Sequence, residues 1–193
     1  NTPSNLLSYG IQPISVISEA NVSETEKQGS VYPPVIDKIK NLATDATHPV
    51  CISISTWHAD RSTDNSAMMS RFQTVYSTFK DNNSKVTIGY RGVGPTSLTS
   101  LRVTNYTQSD FQRNDSWQRY AVEPMRGIRE YADVLYPEVT IINDDLDTWK
   151  QDCSAVLEEA KWNNPNKKIF ACIMTNYFNK TGTIPEDYEA FAD

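Results

Sequence analysis

Histidine and cysteine are scarce in this 193-residue sequence, which has two of the first and three of the second. Cys51, Cys153 and Cys172 are too widely separated for a metal-ligand spacing. The acidic run from Asn143 to Asp147 lacks the glycine and distal glutamate of a calcium loop. No metal is therefore expected, and no cofactor motif is present. The glycine-bearing stretch Arg91-Gly-Val-Gly-Pro95 follows neither the dinucleotide nor the phosphate-loop pattern. His48 precedes a proline at an expected helix end, where a cap or solvation accounts for it. His58 could pair with Asp60 or Ser55, but without an elbow motif or a placed nucleophile a hydrolase triad is not expected. Positive charge is also short: 18 Lys and Arg against 24 Asp and Glu leave a net charge of −6. With no basic stripe, a nucleic-acid surface is not expected. No apolar run reaches the length of a membrane span.

What remains is a chain of ordinary apolar and charged content, long enough for one sizeable domain over residues 1–193. Its most informative stretch is Pro49-Val-Cys-Ile-Ser-Ile-Ser-Thr-Trp-His-Ala-Asp60. Val50, Cys51, Ile52 and Ile54 have the composition of a buried strand, and the stretch then turns polar. Further strands are expected at 11–17, 85–90, 133–142 and 168–177. Pro33-Pro34 can open a helix carried by Val35, Ile36, Ile39 and Leu42. Met68, Met69, Phe72, Val75, Tyr76 and Phe79 space a second helix, with the methionines read as core filler. A third is expected over 116–131 with a break at Pro124, and a fourth from Leu146, Trp149, Cys153, Val156, Leu157 and Ala160. A long polar loop, 96–114, lies between strands and is a candidate to cover a cleft.

This alternation predicts an α/β chain with parallel strands covered by helices, about five β/α units in all. They suit an open doubly wound sheet or part of a (β/α) barrel. The three cysteines read as buried thiols, with one disulfide, Cys153 to Cys172, as the alternative.

Five glycosylation sequons, at Asn21, Asn82, Asn105, Asn114 and Asn179, fall in polar stretches beside the apolar runs. They favour a secreted, extracellular glycoprotein. The chain starts at Asn1 rather than Met, which reads as a processed or trimmed product.

Several segments, in order, resemble the hyaluronidase-type glycoside hydrolases. Gly29-Ser-Val-Tyr-Pro33 is similar to the glycine and proline that precede that family's catalytic strand. Ile88-Gly-Tyr-Arg-Gly-Val-Gly-Pro95 is similar to its Trp-Gly-Tyr-Tyr-Gly-x-Pro strand exit. Asp133-Val-Leu-Tyr-Pro137 resembles its Leu-Tyr-Pro-Ser-x-Tyr segment, and a helix near Ile184-Pro-Glu closes the series. The resemblance runs over roughly residues 11–193 and implies a TIM-like (β/α) barrel, incomplete here for want of its first and last strands. It also implies two unpaired sheet edges, which other copies or chains could complete.

The departures are as informative as the matches. The family's catalytic strand ends Asp-x-Glu-x-x-Trp or similar, and the positions that match its Asp, its Glu and the Trp that follows are Ser53, Ser55 and, one residue earlier than that spacing, Trp57. In that family the glutamate protonates the leaving oxygen while the substrate's acetamido group, steered by the aspartate, attacks. A serine hydroxyl has no proton to give at a suitable pKa. Two tyrosines of the family fall on Arg91 and Thr140, and its serine falls on Glu138. The resemblance therefore implies a disarmed hydrolase that binds carbohydrate or serves an extracellular assembly, with Trp57, Tyr90, Arg91 and Tyr177 as candidate sugar contacts. The alternative is an active glycosidase for N-acetylhexosamine polymers using displaced carboxylates: Asp60, Asp144, Asp145 or Asp147, with Glu138 as a weaker candidate. Against it, Asp145 or Asp147 is equally suited to capping the helix that follows.

Overall fold

The computed structural model describes residues 13–24, 33–54, 57, 66–91, 127–140 and 146–174. They belong to two compact units, Asn1–Tyr90 with Glu130–Val134, and Arg91–Arg129 with Leu135–Asp193.

The first unit carries β1 (Ser15–Ser18), α1 (Ile36–Asp45), β2 (Val50–Ser53), α2 (Ser66–Asn82) and β3 (Ile88–Arg91, its last residue belonging to the second unit). The sheet order is β1-β2-β3, and β1 runs parallel to β2 with Ser15 opposite Val50 and Ser18 opposite Ser53. β2 is buried through Val50, Cys51 and Ile52, as its unbroken apolar run requires of a strand covered on both faces. β1 alternates instead, with Val16 65% exposed.

α1 buries Ile39 and Ala43, one turn apart on a single face. The prolines lie just outside it: Pro34 forms an antiparallel bridge with Ser23, and the Val35 N–H donates to the Val22 carbonyl at 2.8 Å. Pro33-Pro34 thus fixes an extended approach rather than opening the first turn. The helix ends before Pro49, and the Asn83 amide donates to the Ala43 and Ala46 carbonyls left over at that end. α2 buries Met68, Phe72, Val75 and Phe79, the expected stripe. Asp133 ties its far end to β3: the carboxylate accepts from the Tyr76 hydroxyl and the Ile88 N–H, each at 3.0 Å, and lies 2.6 Å from Lys80 Nζ.

In the second unit β4 (Val134–Leu135, its first residue in the first unit) neighbours β6 (Lys168–Ile169), while β5 (Glu138–Thr140) pairs in parallel with β7 (Cys172–Met174). The single strand expected over 133–142 is in two pieces. Pro137 has no N–H to give, so the ladder skips there, although its carbonyl still accepts from Cys172 at 2.8 Å. α3 (Leu146–Asn163) buries Ala155, Val156 and Ala160, and with them Asp152. Of the helix expected over 116–131, only a 3-10 turn at Ile128–Tyr131 falls among the described residues.

None of the three cysteines is in a disulfide, so the alternative of a Cys153 to Cys172 bridge is corrected in favour of thiols. Burial, with the Asp152 charge beside it, pushes the Cys153 thiol up to about 12. Its thiolate at pH 8 is then roughly a thousandfold scarcer than that of an ordinary cysteine. Native-state alkylation at pH 8 is expected to spare Cys153 while urea exposes it, which peptide mass mapping reads directly. Rapid labelling of Cys153 in the folded chain would show that α3 does not shield it.

Candidate functional site

Strand alternation puts Cys51 and Ser53 on one face of β2 and Ile52 and Ile54 on the other. Ile52 and Ile54 are buried, whereas Ser53, the last residue of the strand, is half-buried. A small hydroxyl therefore ends the strand, at the first of the two positions that the resemblance aligns with carboxylates. Ser55, the second such position, lies outside the described residues.

Trp57 is 1% exposed. Its ring meets Phe72 of α2 edge-on, centroids 5.3 Å apart at 86°. Phe72 meets Tyr90 of β3 in the same way, at 4.8 Å and 81°. The Tyr90 hydroxyl donates to the Phe72 carbonyl at 3.3 Å, and burial pushes the phenol well above its ordinary range. Two perpendicular ring contacts in series satisfy the ring quadrupoles, a geometry of packing rather than of display. Trp57 and Tyr90 are thus not open stacking platforms in this structure: they are 1% and 2% exposed, and each packs perpendicular to Phe72. The Trp57 indole N–H, itself buried, has no hydrogen-bond partner among the described residues.

In the second unit Arg91 bridges in parallel to Tyr136, and its Nε lies 2.6 Å from Glu138 Oε1. Both side chains keep about a third of their surface, at 30% and 29% exposed. Glu138, the weaker displaced acid, is therefore already committed to a guanidinium. Arg91 retains surface with which to meet a polar ligand. The pairing joins the two positions that the resemblance sets against a tyrosine and a serine. Residues 47 apart in sequence give no local signal of it.

Asp147 lies in the first turn of α3 and is exposed, where it complements the helix dipole. Asp60, Asp144, Asp145, Tyr177 and the sequon residues Asn105, Asn114 and Asn179 lie outside the described residues. Asn21 and Asn82 are described, and both are exposed. Among the described residues no group of three or more His, Cys, Asp or Glu stands where it could hold a metal ion. No described helix is long and apolar enough to cross a membrane.

No family model matches the sequence, and no curated protein matches it either. Solved structures do match. Among them is bee venom hyaluronidase, with a TM-score of 0.66 over 94% of this chain and 74% of that one, at 14% identity. The likeness is one of fold: a mixed α/β chain with parallel strands and a distant hyaluronidase-like arrangement.

Proposed function

We propose that this chain is a secreted, hyaluronidase-like glycoside-hydrolase barrel that has lost catalysis and acts by binding carbohydrate or in extracellular assembly. The observation that carries the reading is Ser53. It ends a buried parallel strand, half-buried, in a fold similar to a hyaluronidase. A hydroxyl at that place can hydrogen-bond a sugar but cannot protonate a glycosidic oxygen near neutral pH. Arg91, partly exposed, adds a fixed donor set for a polar or anionic glycan. Trp57 and Tyr90 contribute as a rigid backing to the strand ends rather than as faces for stacking.

The test is turnover on hyaluronan and chondroitin by the unaltered chain and by a Ser53→Asp, Ser55→Glu double variant, with binding measured on the same polymers. The expected result is no cleavage by the unaltered chain, retention on at least one polymer, and slow cleavage by the variant. A placed general acid is worth roughly 10²–10⁴ in rate, so even a poorly aligned one is detectable. Clear cleavage by the unaltered chain would overturn the proposal and direct attention to Asp60 and Asp144–Asp147.

A further inference from the structure

β1 is the outermost strand of the β1-β2-β3 sheet among the described residues. The Ser15 N–H donates to the Pro49 carbonyl at 2.8 Å, so Ser15 and Ile17 direct their backbone groups toward β2. By the same alternation Val16 and Ser18 direct theirs outward, to the edge at which no described strand pairs. That edge is also apolar: Val16 is 65% exposed and Ile14, on the same strand face, 36%. A free edge with exposed aliphatic side chains is a template for unwanted pairing, and natural chains cover or blunt such edges.

At the carboxyl end of this edge stands Asn21. Its Oδ1 accepts the outward-pointing Ser18 N–H at 3.1 Å and the Ser18 hydroxyl at 2.8 Å. The carboxamide is thereby anchored on the open side of the strand, about 7 Å along it from Val16 at the rise of a parallel strand. Asn21 is exposed and opens the sequon Asn21-Val-Ser23. An N-linked asparagine keeps its carbonyl oxygen, so the bonds to Ser18 survive attachment at Nδ2. The other described sequon differs. Asn82 turns its Nδ2 onto the Thr78 carbonyl at 2.8 Å, within the last turn of α2.

We propose that Asn21 carries an N-linked glycan, and that this glycan covers the free edge of β1 over Val16 and Ile14. The inference rests on the secreted reading above. Nδ2 displaces the diphosphate of a lipid-linked oligosaccharide: the sugar C1–N bond forms, the C1–O bond to the diphosphate breaks, one amide proton leaves, and the lipid diphosphate departs. Attachment precedes folding, because the folded chain buries Ser23 to 1% exposure and turns its hydroxyl onto the Glu19 carbonyl at 3.0 Å. Lys38 then closes the turn from α1, donating to the Ser23 carbonyl at 2.9 Å.

The experiment uses the full chain secreted from glycosylating cells, with each sequon's occupancy read by peptide mass. Sedimentation velocity then compares it with Asn21→Asp, which keeps an oxygen for the Ser18 N–H but accepts no sugar. The expected result is majority occupancy at Asn21 and association of the variant at about a tenfold lower concentration, the factor one newly buried valine supplies. Adding Val16→Lys to the variant should restore dispersal, which separates edge pairing from misfolding. Occupied sequons elsewhere with a bare Asn21 would overturn this inference alone. Five bare sequons would overturn the secreted reading with it. A glycosylated Asn21 whose loss leaves association unchanged would overturn the covering role.

Discussion

Phe72→Ala is expected to cost about 4 kcal/mol of folding stability, the range for removing a fully buried phenylalanine. Phe72 is 0% exposed, and both ring contacts of the cluster pass through it. Its removal leaves Trp57 without its edge-on partner and opens a void beneath Tyr90. In a chain of this size such a loss lowers the melting temperature by about 10 °C. Phe72→Leu, which keeps most of the volume, should cost about 1–1.5 kcal/mol. A double-mutant cycle with Trp57→Leu separates the ring contact from simple burial and should return about 0.5–1.5 kcal/mol of coupling. The same variants bear on function. If Trp57 backs a binding surface at the end of β2, Phe72→Leu should weaken retention on hyaluronan while the chain remains folded. Zero coupling in the cycle would show that Trp57 is held by something other than Phe72.

Much of this was open to reading from the sequence, and the failures have physical causes. The stripe Met68, Phe72, Val75 and Phe79 and the buried run Val50 to Ile52 are local patterns, and the structure keeps both. That Ser53 and Ser55 stand at carboxylate positions rests on the resemblance alone, and of the two only Ser53 is among the described residues. The exposure of Trp57 and Tyr90 was not legible. A strand-end aromatic faces a cleft only if no other element covers it, and here the cover comes from Phe72, 15 and 18 residues away. Pro137 breaks the strand expected as one piece over 133–142, a signal that reading passed over, since a residue without an N–H cannot continue the ladder. Asp152 gave no such notice: a helical aspartate reads as solvated, and only packing decides that its face of α3 is buried to 2% exposure. The Arg91 to Glu138 pair likewise depends on a strand pairing that no local pattern encodes.

Asp133→Ala should cost about 3 kcal/mol, because one carboxylate serves three donors from two elements. It accepts the Ile88 N–H that opens β3, the Tyr76 hydroxyl and the Lys80 ammonium, while its own N–H donates to the Ile88 carbonyl at 2.7 Å. The ion pair is part-exposed, at 24% and 26%, so the loss falls at the lower end of that for a buried pair. Asp133→Asn keeps one oxygen for the Ile88 N–H, turns an NH2 donor toward the Tyr76 hydroxyl and removes the charge facing Lys80, and should cost about 1–2 kcal/mol. The network also sets an alkaline limit. Burial, then the bond to Asp133 and its charge, raises the Tyr76 phenol from 10.0 to about 12. A group raised on folding stabilises fully below its unfolded value, so this contribution is intact up to pH 10 and is lost as pH rises from 10 to about 12. Tyr76→Phe should remove that part of the decline, and the difference between the two stability profiles isolates the phenol. In Asp133→Asn, tyrosinate absorbance should show one phenol ionising earlier than in the unaltered chain. Identical alkaline profiles for all three proteins would mean that Asp133 does not hold α2 to β3 through Tyr76. The pin would then rest on Lys80, which also donates to the Val86 carbonyl at 2.7 Å just before β3 begins.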